Sequence, residues 1–238
     1  MPVAVVTGAS RGLGRALAEE LAGSGWRLVV DARNAGPLEE VARQLEAGGA
    51  VVRAVAGDVT DPAHRRLLVE EAAALGSLDL LVHNAGALGP SPLPRLEALS
   101  PEALATMAVT NVAAPLALVQ EALPLLRARR GTVVAVTSDA AVEGYEGWGA
   151  YGATKAALEQ LHRVLATEEP DLRVVVFDPG DMRTRMHQEA FPGEDISDRP
   201  EPSVAAAALR RLVEGDAPGG RYRAGDLASP ATPAEVPA

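Results

Sequence analysis

Short apolar runs alternate with longer amphipathic segments along most of this chain. The short runs are uniformly apolar rather than alternating, which is typical of parallel strands that are buried on both faces. Because such strands alternate with helical segments, the pattern predicts βαβ crossovers and a single α/β domain. That domain would contain a doubly wound parallel sheet of about seven strands with helices on both faces. The predicted strands are 3–7, 28–31, 51–56, 78–83, 132–137 and 172–178, with an edge strand in 219–226.

Helical segments fill the intervals between these strands, and several begin near a proline and end just before a glycine. The segment GPLEEVARQLEAGG shows this asymmetry, which is typical of helix termini. The Pro-rich and acidic segments 88–101 and 191–202 are predicted loops. The composition of residues 227–238 predicts a disordered tail, which leaves 1–226 as the folded domain. The predicted helices are 13–22, 37–47, 62–75, 101–126, 151–169 and 204–212.

Composition narrows the class of protein. With 238 residues and 47% hydrophobic content, the chain is able to bury one full-sized core. The absence of cysteine excludes disulfides, thiolate metal sites and thiol catalysis. A net charge of −10 disfavours a general nucleic-acid binder, which usually presents a basic face. No apolar run approaches the roughly 20 residues that span a bilayer, and no signal peptide is evident, so we expect a cytoplasmic protein without a membrane partner.

The chain has a single lysine, Lys155, among its 22 cationic Lys and Arg residues. It follows Tyr151 by four positions in a predicted helix, so the two side chains share one helix face. A free phenol has a pKa of about 10, and a nearby ammonium lowers it by favouring the phenolate. The pair therefore predicts a tyrosine that acts as a general acid/base. A planar guanidinium differs in reach and geometry, which explains why arginine does not replace this lysine.

The first predicted strand runs directly into a glycine turn and an amphipathic helix, in the segment VAVVTGASRGLGRALAEEL. Gly8, Gly12 and Gly14 form the pattern TGxxxGxG. Glycines permit a tight turn and a close backbone approach, and the helix N-terminus offers free N–H groups and partial positive charge. The segment therefore predicts a site for the phosphates of a dinucleotide.

These motifs recur with others in a fixed order. HNAG (83–86) follows the fourth strand, TNVAAP contains Asn111, VAVTSDAA contains Ser138, and YGATK and DPGDMRT come next. Together they resemble the short-chain dehydrogenase/reductase family through about Gly225, with His83 in place of the first asparagine of the family's NNAG motif. The resemblance implies a Rossmann-type fold and an enzyme that transfers a hydride between a nicotinamide cofactor and a small carbonyl or alcohol.

The resemblance also implies roles for four catalytic residues. Ser138 would polarise the substrate carbonyl, and Tyr151 would transfer the proton. Lys155 would lower the tyrosine pKa and bind the cofactor ribose, while Asn111 would anchor a water relay for protons. The family pattern further implies a substrate lid at about 184–203, and a homodimer or homotetramer built on the helices 101–126 and 151–169.

The segment LVVDARN decides which cofactor is expected. Arg33 falls where family members specific for NADP carry a basic residue. The family's NAD-selecting aspartate would fall on Ala32, 24 residues after Gly8, and Asp31, one residue earlier, is expected to point off the other side of the strand. We therefore predict NADP(H), with NAD(H) less favoured because of Asp31. Asp58 matches the family residue that binds the adenine amine, and Asp61 is the more natural cap of the following helix. The implied cofactor-binding residues are Gly8, Ser10, Arg11, Gly12, Leu13, Gly14, Arg33, Asp58, Val59, Asn84, Ala85, Gly86, Tyr151, Lys155, Pro179, Gly180, Met182 and Thr184.

Substrate specificity is expected in two segments. The loop 139–150 brings Asp139, Tyr145 and Trp148 near the nicotinamide, and the start of the lid adds Asp178, Asp181, Arg185, Met186 and His187. Asp181 and the neighbouring arginines either orient a polar substrate or are solvated charges of the lid. No metal site is expected, because His187 has no second histidine at ligand spacing.

Other readings of the chain remain open. The same architecture serves 3-oxoacyl thioester reductases, and the basic segment LLRARRG (125–131) could dock an acidic acyl carrier protein. A basic helix end also simply complements the helix dipole, and a net charge of −10 disfavours an acidic partner. A catalytically idle protein that senses bound NADP would keep the glycine turn, but the presence of all four catalytic residue types disfavours it.

Overall fold

The computed structural model describes residues 1–228, which form one seven-stranded parallel sheet with the strand order β3-β2-β1-β4-β5-β6-β7. All six pairs of neighbouring strands are parallel, so the predicted doubly wound sheet of seven strands is confirmed. The strands are β1 (Val3–Val6), β2 (Arg27–Ala32), β3 (Val52–Ala56), β4 (Leu80–His83), β5 (Thr132–Val136), β6 (Arg173–Asp178) and β7 (Gly220–Arg223).

Helices connect the strands on both faces, as predicted. They are α1 (Gly12–Gly23), α2 (Ala35–Ala47), α3 (Pro62–Ala74), α4 (Pro101–Ala108), α5 (Ala114–Arg129), α6 (Gly149–Glu168), α7 (Arg185–Ala190), α8 (Pro202–Glu214) and α9 (Ala224–Ala228). Sequence analysis missed α7 and α9, which are only six and five residues long. Because α9 extends past the predicted domain end at 226, two residues of the predicted tail are helical, and the rest of that tail, 229–238, lies outside the described residues.

The predicted helix 101–126 is three consecutive segments. A π-turn at Val109–Ala113 separates α4 from α5, and α5 continues to Arg129. Such π-turns are frequent at functional sites, and this one carries Asn111. Apolar periodicity does not reveal a single wide turn, so the sequence could not predict it.

The sheet is buried on both faces, and alternate residues of each strand enter two different cores. Val30 of β2 packs with α1, α2 and α8, whereas Val29 faces α3 and α5 on the other side. This alternation determines which residues reach the cofactor side at the end of a strand. The strand order reverses between β1 and β4, and ligands of doubly wound sheets bind in the crevice at that point.

The helical stretch Pro101–Arg129 has the length and apolar composition of a membrane span, with a mean hydropathy of 1.5 in its most apolar window. The expectation that no segment has these properties is therefore too strong. Core helices of globular proteins meet the same criterion, and this stretch packs against α3 and α6.

Helix α6 approaches the end of β5 unusually closely. A Cβ on Gly152 would lie 2.4 Å from the carbonyl oxygen of Ala140, in the 3₁₀ turn Asp139–Ala141 that directly follows Ser138. Gly36 in α2, by contrast, has open space where its Cβ would be. Glycine at position 152 therefore allows the helix and the serine turn to touch.

We expect Gly152→Ala to lower the free energy of unfolding by about 1–3 kcal/mol, because an added methyl group in a packed site forces the backbone apart. The matched change Gly36→Ala should raise it by about 0.5–1 kcal/mol, since alanine favours the helix and meets no neighbour. Urea unfolding of the two variants gives both values. Equal stability of Gly152→Ala and the wild-type protein would contradict the close approach.

Candidate active site

A cleft of about 1200 Å³ opens at the carboxyl ends of the strands, at the crossover between β1 and β4. It contains the residues of the glycine turn at one end and Ser138, Tyr151 and Lys155 at the other. Of the predicted catalytic and cofactor-binding residues, only Gly14 and Asn111 do not line it, and Tyr145, predicted near the nicotinamide, lies outside it. Gly14 and Asn111 lie directly behind its wall: a Cβ on Gly14 would collide with Gly8, and Asn111 is 1% exposed.

The glycine turn has the backbone that a phosphate site requires. Gly8 and Gly12 have φ angles of 68° and 55°, a conformation that other residues rarely adopt. Arg11 is the N-cap residue of α1, and its side chain does not cap the first helical turn. The backbone N–H groups of that turn are therefore available to an anion. A Cβ on Gly8 would lie 2.9 Å from Cα of Ala85. The turn thus fits the diphosphate of a dinucleotide.

Side chains at the ends of β1 and β4 hold this turn in place. The Thr7 hydroxyl donates to the carbonyl of Val82 and accepts from the backbone N–H groups of Asn84 and Ala85, each at 3.0 Å. The amide of Asn84 donates to the carbonyls of Thr7 at 2.8 Å and Gly8 at 3.2 Å. Asn84 therefore shapes the floor of the cleft through the turn as well as lining it.

At the adenosine end, Asp31 lines the cleft near Arg33, but its carboxylate is already engaged. Its carboxylate contacts Nε2 of His64 on α3 at 2.6 Å, and both side chains are buried. Burial raises the pKa of Asp31, and the bond to His64 partly offsets this effect. A Cβ on Gly57 would lie 2.3 Å from the His64 ring, so the ring also supports the strand end before Asp58. Sequence analysis did not identify His64.

Asp61 has the capping role that the sequence suggested, and Asp58 is free of that role. Asp61 caps α3 by accepting from the N–H of Ala63 at 2.8 Å. Asp58 lines the cleft, where the N–H of Thr60 donates to its carboxylate at 2.9 Å. That bond, assisted by the Thr60 hydroxyl and the charge of Arg33, keeps the pKa of Asp58 below its usual value.

Tyr151 and Lys155 lie on the face of α6 that meets the end of β5. Both are buried, and Nζ of Lys155 lies 5.6 Å from the centroid of the Tyr151 ring and donates to the carbonyl of Val136 at 2.9 Å. The sequence predicted a lowered pKa for Tyr151, and this prediction is wrong. Burial, followed by the charges of Asp178 and Asp139, raises that pKa, while burial lowers the pKa of Lys155 to about 8.

Ser138 ends β5 and begins the following 3₁₀ turn. Its hydroxyl donates to Oδ1 of Asp139 at 2.8 Å and accepts from the N–H of Ala140 at 3.2 Å. Trp148 stacks edge-to-face on Tyr151, with ring centroids 5.5 Å apart, and closes the cleft on this side. The serine and the tyrosine thus face the same end of the cleft.

Asn111 connects three elements. Its amide donates to the carbonyl of Ala87 at 2.9 Å and to the hydroxyl of Thr154 at 3.0 Å, and its oxygen accepts from the N–H of Ala87 at 2.8 Å. A Cβ on Gly86 would meet both the Asn111 oxygen and Nζ of Lys155, at 3.5 and 3.6 Å. Asn111 therefore positions the backbone beside Lys155.

A buried ionic network lies beneath Ser138, and sequence analysis did not recognise it. Glu159 accepts from the Thr137 hydroxyl at 2.7 Å and from Nε of Arg221 at 3.1 Å. Arg221 also donates to the carbonyl of Ser138 at 3.2 Å and to Asp178 at 3.1 Å. Asp178 in turn accepts from the N–H of Gly180. The network joins the serine turn to the glycine turn after β6. The sequence held one sign of this network, since Glu159 follows Lys155 by four positions and so lies on the same helix face.

The charges at the start of the lid bind mainly to one another. Arg183 pairs with Glu201, and Arg185 pairs with Glu189 at 2.6 Å. Asp181 is 64% exposed and lies 3.7 Å from both His187 and Arg199. These pairs favour the interpretation of solvated lid charges over that of substrate ligands. Among residues 1–228, no group of three or more histidine or acidic side chains is arranged to hold a metal ion.

His83 lies behind the cleft rather than in it. Its ring packs edge-to-face on His162 of α6, with centroids 5.3 Å apart. Burial keeps the pKa of His83 well below its usual value, so the ring is neutral near pH 7. The departure from the family's asparagine therefore changes the packing between β4 and α6.

Comparisons with known proteins agree with this geometry. The short chain dehydrogenase family model matches residues 2–195. Sepiapterin reductase of Xenopus laevis is 34% identical over 93% of this chain and 92% of its own length. An alcohol dehydrogenase from Thermococcus sibiricus, solved with 5-hydroxy-NADP, superposes with a TM-score of 0.85 at 31% identity, covering 94% and 95% of the two chains. A short chain dehydrogenase of Shigella flexneri, solved with NADP, gives 0.85 at 31% identity, covering 94% and 97%.

The buried ammonium of Lys155 should make stability depend on pH. Its folded pKa of about 8 lies below the unfolded value of about 10.5, so between these values only the unfolded chain holds the proton. Stability from this group therefore rises with pH across that window, by about 3 kcal/mol at about 1.4 kcal/mol per pKa unit. Urea unfolding of the wild type and of Lys155→Met at a series of pH values measures this rise as the difference in stability between the two proteins. An identical pH slope for both proteins would contradict the prediction.

The buried pair of Asp31 and His64 should be costly to break from one side. We expect His64→Leu to reduce stability by about 3–5 kcal/mol, because Asp31 is then buried without its partner. The double variant Asp31→Ala, His64→Leu removes both polar groups and should regain at least about 2 kcal/mol. Thermal and urea unfolding test this order. A double variant less stable than His64→Leu would show that the pair is not the main contribution.

Proposed function

Because this chain belongs to the short-chain dehydrogenase family, we propose that it is an NADP(H)-dependent oxidoreductase that interconverts a carbonyl compound and an alcohol. The supporting observation is that Ser138, Tyr151 and Lys155 meet at one end of a cleft whose other end is a glycine turn suited to a diphosphate. In the direction of reduction, carbonyl, NADPH and a proton give alcohol and NADP⁺. NADPH supplies the hydride when bound.

The cofactor assignment rests on the adenosine end of the cleft. Arg33 and Arg11 line it and would hold the 2′-phosphate. Asp31, the residue that disfavours NADP in the sequence, lines the same cleft, but its carboxylate is buried and engaged by His64, which weakens the case for NAD(H). The NADP found in related structures of high similarity supports the same choice.

Each catalytic side chain has a distinct task in the proposed reaction. Ser138 turns its hydroxyl to the carbonyl oxygen, and Tyr151 gives that oxygen its proton. Tyr151 is protonated near neutral pH, as a proton donor must be, while its raised pKa makes the buried phenol a weaker acid. As the phenol loses its proton, the ammonium of Lys155 stabilises the charge that develops. Asn111 positions the Gly86–Ala87 backbone and is proposed to anchor the proton relay.

The alternatives are less well supported. Two arginines of the basic segment that might dock an acyl carrier protein are already paired, Arg127 with Glu169 at 2.9 Å and Arg129 with Asp79 at 2.9 Å. This leaves less free positive charge for an acidic partner and disfavours a 3-oxoacyl thioester reductase. A catalytically idle NADP sensor would not need the convergence of Ser138 and Tyr151 at one end of the cleft.

The partner of the site is a small molecule, and we propose that the chain itself forms a homodimer or homotetramer. Apolar side chains are exposed on the helices 101–129 and on α6, including Val109, Leu116 and Val164 at 48%, 39% and 40%. Burying these side chains against a second copy would be favourable. A cytoplasmic location, and the lack of nucleic-acid and membrane partners, remain predictions from composition.

The test follows oxidation of NADPH, and separately of NADH, by a panel of ketones, aldehydes, sugars, quinones and 3-oxoacyl thioesters. We expect turnover with NADPH, and a loss of about 10²–10⁴-fold in kcat with Tyr151→Phe, because the general acid is removed. Tyr222→Phe, which makes the same change on β7, should retain activity. Arg33→Ala should raise KM for NADPH roughly 10–100-fold and leave KM for NADH nearly unchanged, because only the phosphate contact is lost.

Three other outcomes would contradict different parts of this proposal. Preference for NADH in the wild-type protein would reverse the cofactor assignment. Tight binding of NADPH without turnover of any panel member would favour the sensor. Equal activity of Tyr151→Phe and wild type would remove the proposed general acid.

A further inference from the structure

The carboxylate of Asp139 is held at the reacting end of the cleft. Its Oδ1 accepts from the Ser138 hydroxyl and from the N–H of Ala140, both at 2.8 Å. Its Oδ2 lies 3.1 Å from the Tyr145 hydroxyl, which is equally close to Glu143 and has one proton to share between the two acids. All three donors are neutral, so a full negative charge is fixed beside the serine that binds the substrate oxygen.

This charge opposes the reduction of a neutral carbonyl compound. The Ser138 hydroxyl has to leave Asp139 in order to donate to the substrate, and negative charge then develops on the substrate oxygen. Hydrogen bonds between oxygens are about 2.7 Å long, so that oxygen would lie within about 5.5 Å of Oδ1. Two like charges at this separation repel each other in a partly enclosed cleft. Asp139 therefore needs a positive partner in the reacting complex.

The neighbouring basic side chains are directed elsewhere. Lys155 donates to the carbonyl of Val136, and Arg221 lies beneath Ser138 with Glu159 and Asp178. In the lid, Arg183 and Arg185 pair with glutamates. The protein satisfies two buried carboxylates near the cleft with a basic or imidazole side chain, Asp178 with Arg221 and Asp31 with His64, but gives the half-buried Asp139 neutral donors.

We propose that the substrate itself supplies this cation: the site takes a carbonyl compound with a protonated amine on the carbon next to the carbonyl, or the corresponding amino alcohol. The inference rests on the proposed reductase function and makes Asp139 the specificity-determining residue. An ammonium at that position is close to the carbonyl oxygen and so within reach of the carboxylate. By accepting from the ammonium, Asp139 releases the Ser138 hydroxyl to the carbonyl. The ring of Trp148, which lines the same end, is a favourable neighbour for a cation.

The experiment compares three ketones of nearly equal size that differ in one group: aminoacetone, hydroxyacetone and 2-butanone. They are assayed with NADPH at about pH 6.5, below the pKa of about 8 of an α-amino group. For the wild type we expect kcat/KM for aminoacetone to exceed that for 2-butanone at least tenfold, because charge-assisted hydrogen bonds are about twice as strong as neutral ones. Asp139→Asn keeps the side-chain volume and should bring this ratio to about one, because the carboxylate that would accept from the ammonium is removed.

Asp181→Asn is the matched control, since it removes an equal charge from an exposed position of the same cleft and should keep the tenfold ratio. Binding of the three ketones to NADPH-loaded Tyr151→Phe, followed by NMR titration, gives the same comparison without turnover. A preference for 2-butanone, or a ratio that survives in Asp139→Asn, would overturn the proposal in either measurement. NADPH oxidation by 2-butanone that is lost in Tyr151→Phe would leave the reductase function intact even then.

Discussion

The active end of this protein depends on the register between helix α6 and the end of strand β5. Three consecutive turns of the helix contact the strand or the turn that follows it. Gly152 lies against Ala140, Lys155 donates to the carbonyl of Val136, and Glu159 accepts from Thr137. Side chains four apart share a helix face, so one docking surface sets the positions of the tyrosine, the lysine and the supporting glutamate. A shift of α6 by a few tenths of an ångström would therefore disturb all three together.

Burial shifts the pKa values of the tyrosine and the lysine. Tyr151 and Lys155 are 8% and 4% exposed, and loss of water shifts both toward their neutral forms, raising the pKa of the phenol and lowering that of the ammonium. Beneath Ser138, Arg221 bridges Glu159 and Asp178, and Arg163 and Arg223 give each of these carboxylates a second basic partner.

The sheet, its strand boundaries and the side chains that line the cleft could be predicted from the sequence because these follow from local features. Uniformly apolar runs identify buried strands, and the direction of Asp31 follows from the two-residue period of a strand. The partners of these residues could not be predicted in the same way. His64 meets Asp31 across 33 positions and Arg221 meets Glu159 across 62, and no local pattern states which distant side chain fills a buried space. The expected lowering of the Tyr151 pKa was wrong because spacing along a helix carries no information on burial, and burial raises that pKa.

Three aspartates near the strand ends show how the surroundings decide the role of a carboxylate. Asp31 and Asp178 are 1% and 2% exposed, and each has an imidazole or guanidinium partner, which makes them parts of the framework. Asp139 is neither fully buried nor paired with a base, and it lies beside the serine on which the substrate oxygen would rest. Two unit charges about 5 Å apart interact by about 3 kcal/mol at an effective dielectric constant of 20, which corresponds to a factor of more than 100 in rate or affinity. A charge of this size slows the reaction of a neutral substrate and favours the binding of a cationic one. The charge of the substrate therefore decides whether Asp139 hinders or promotes the reaction.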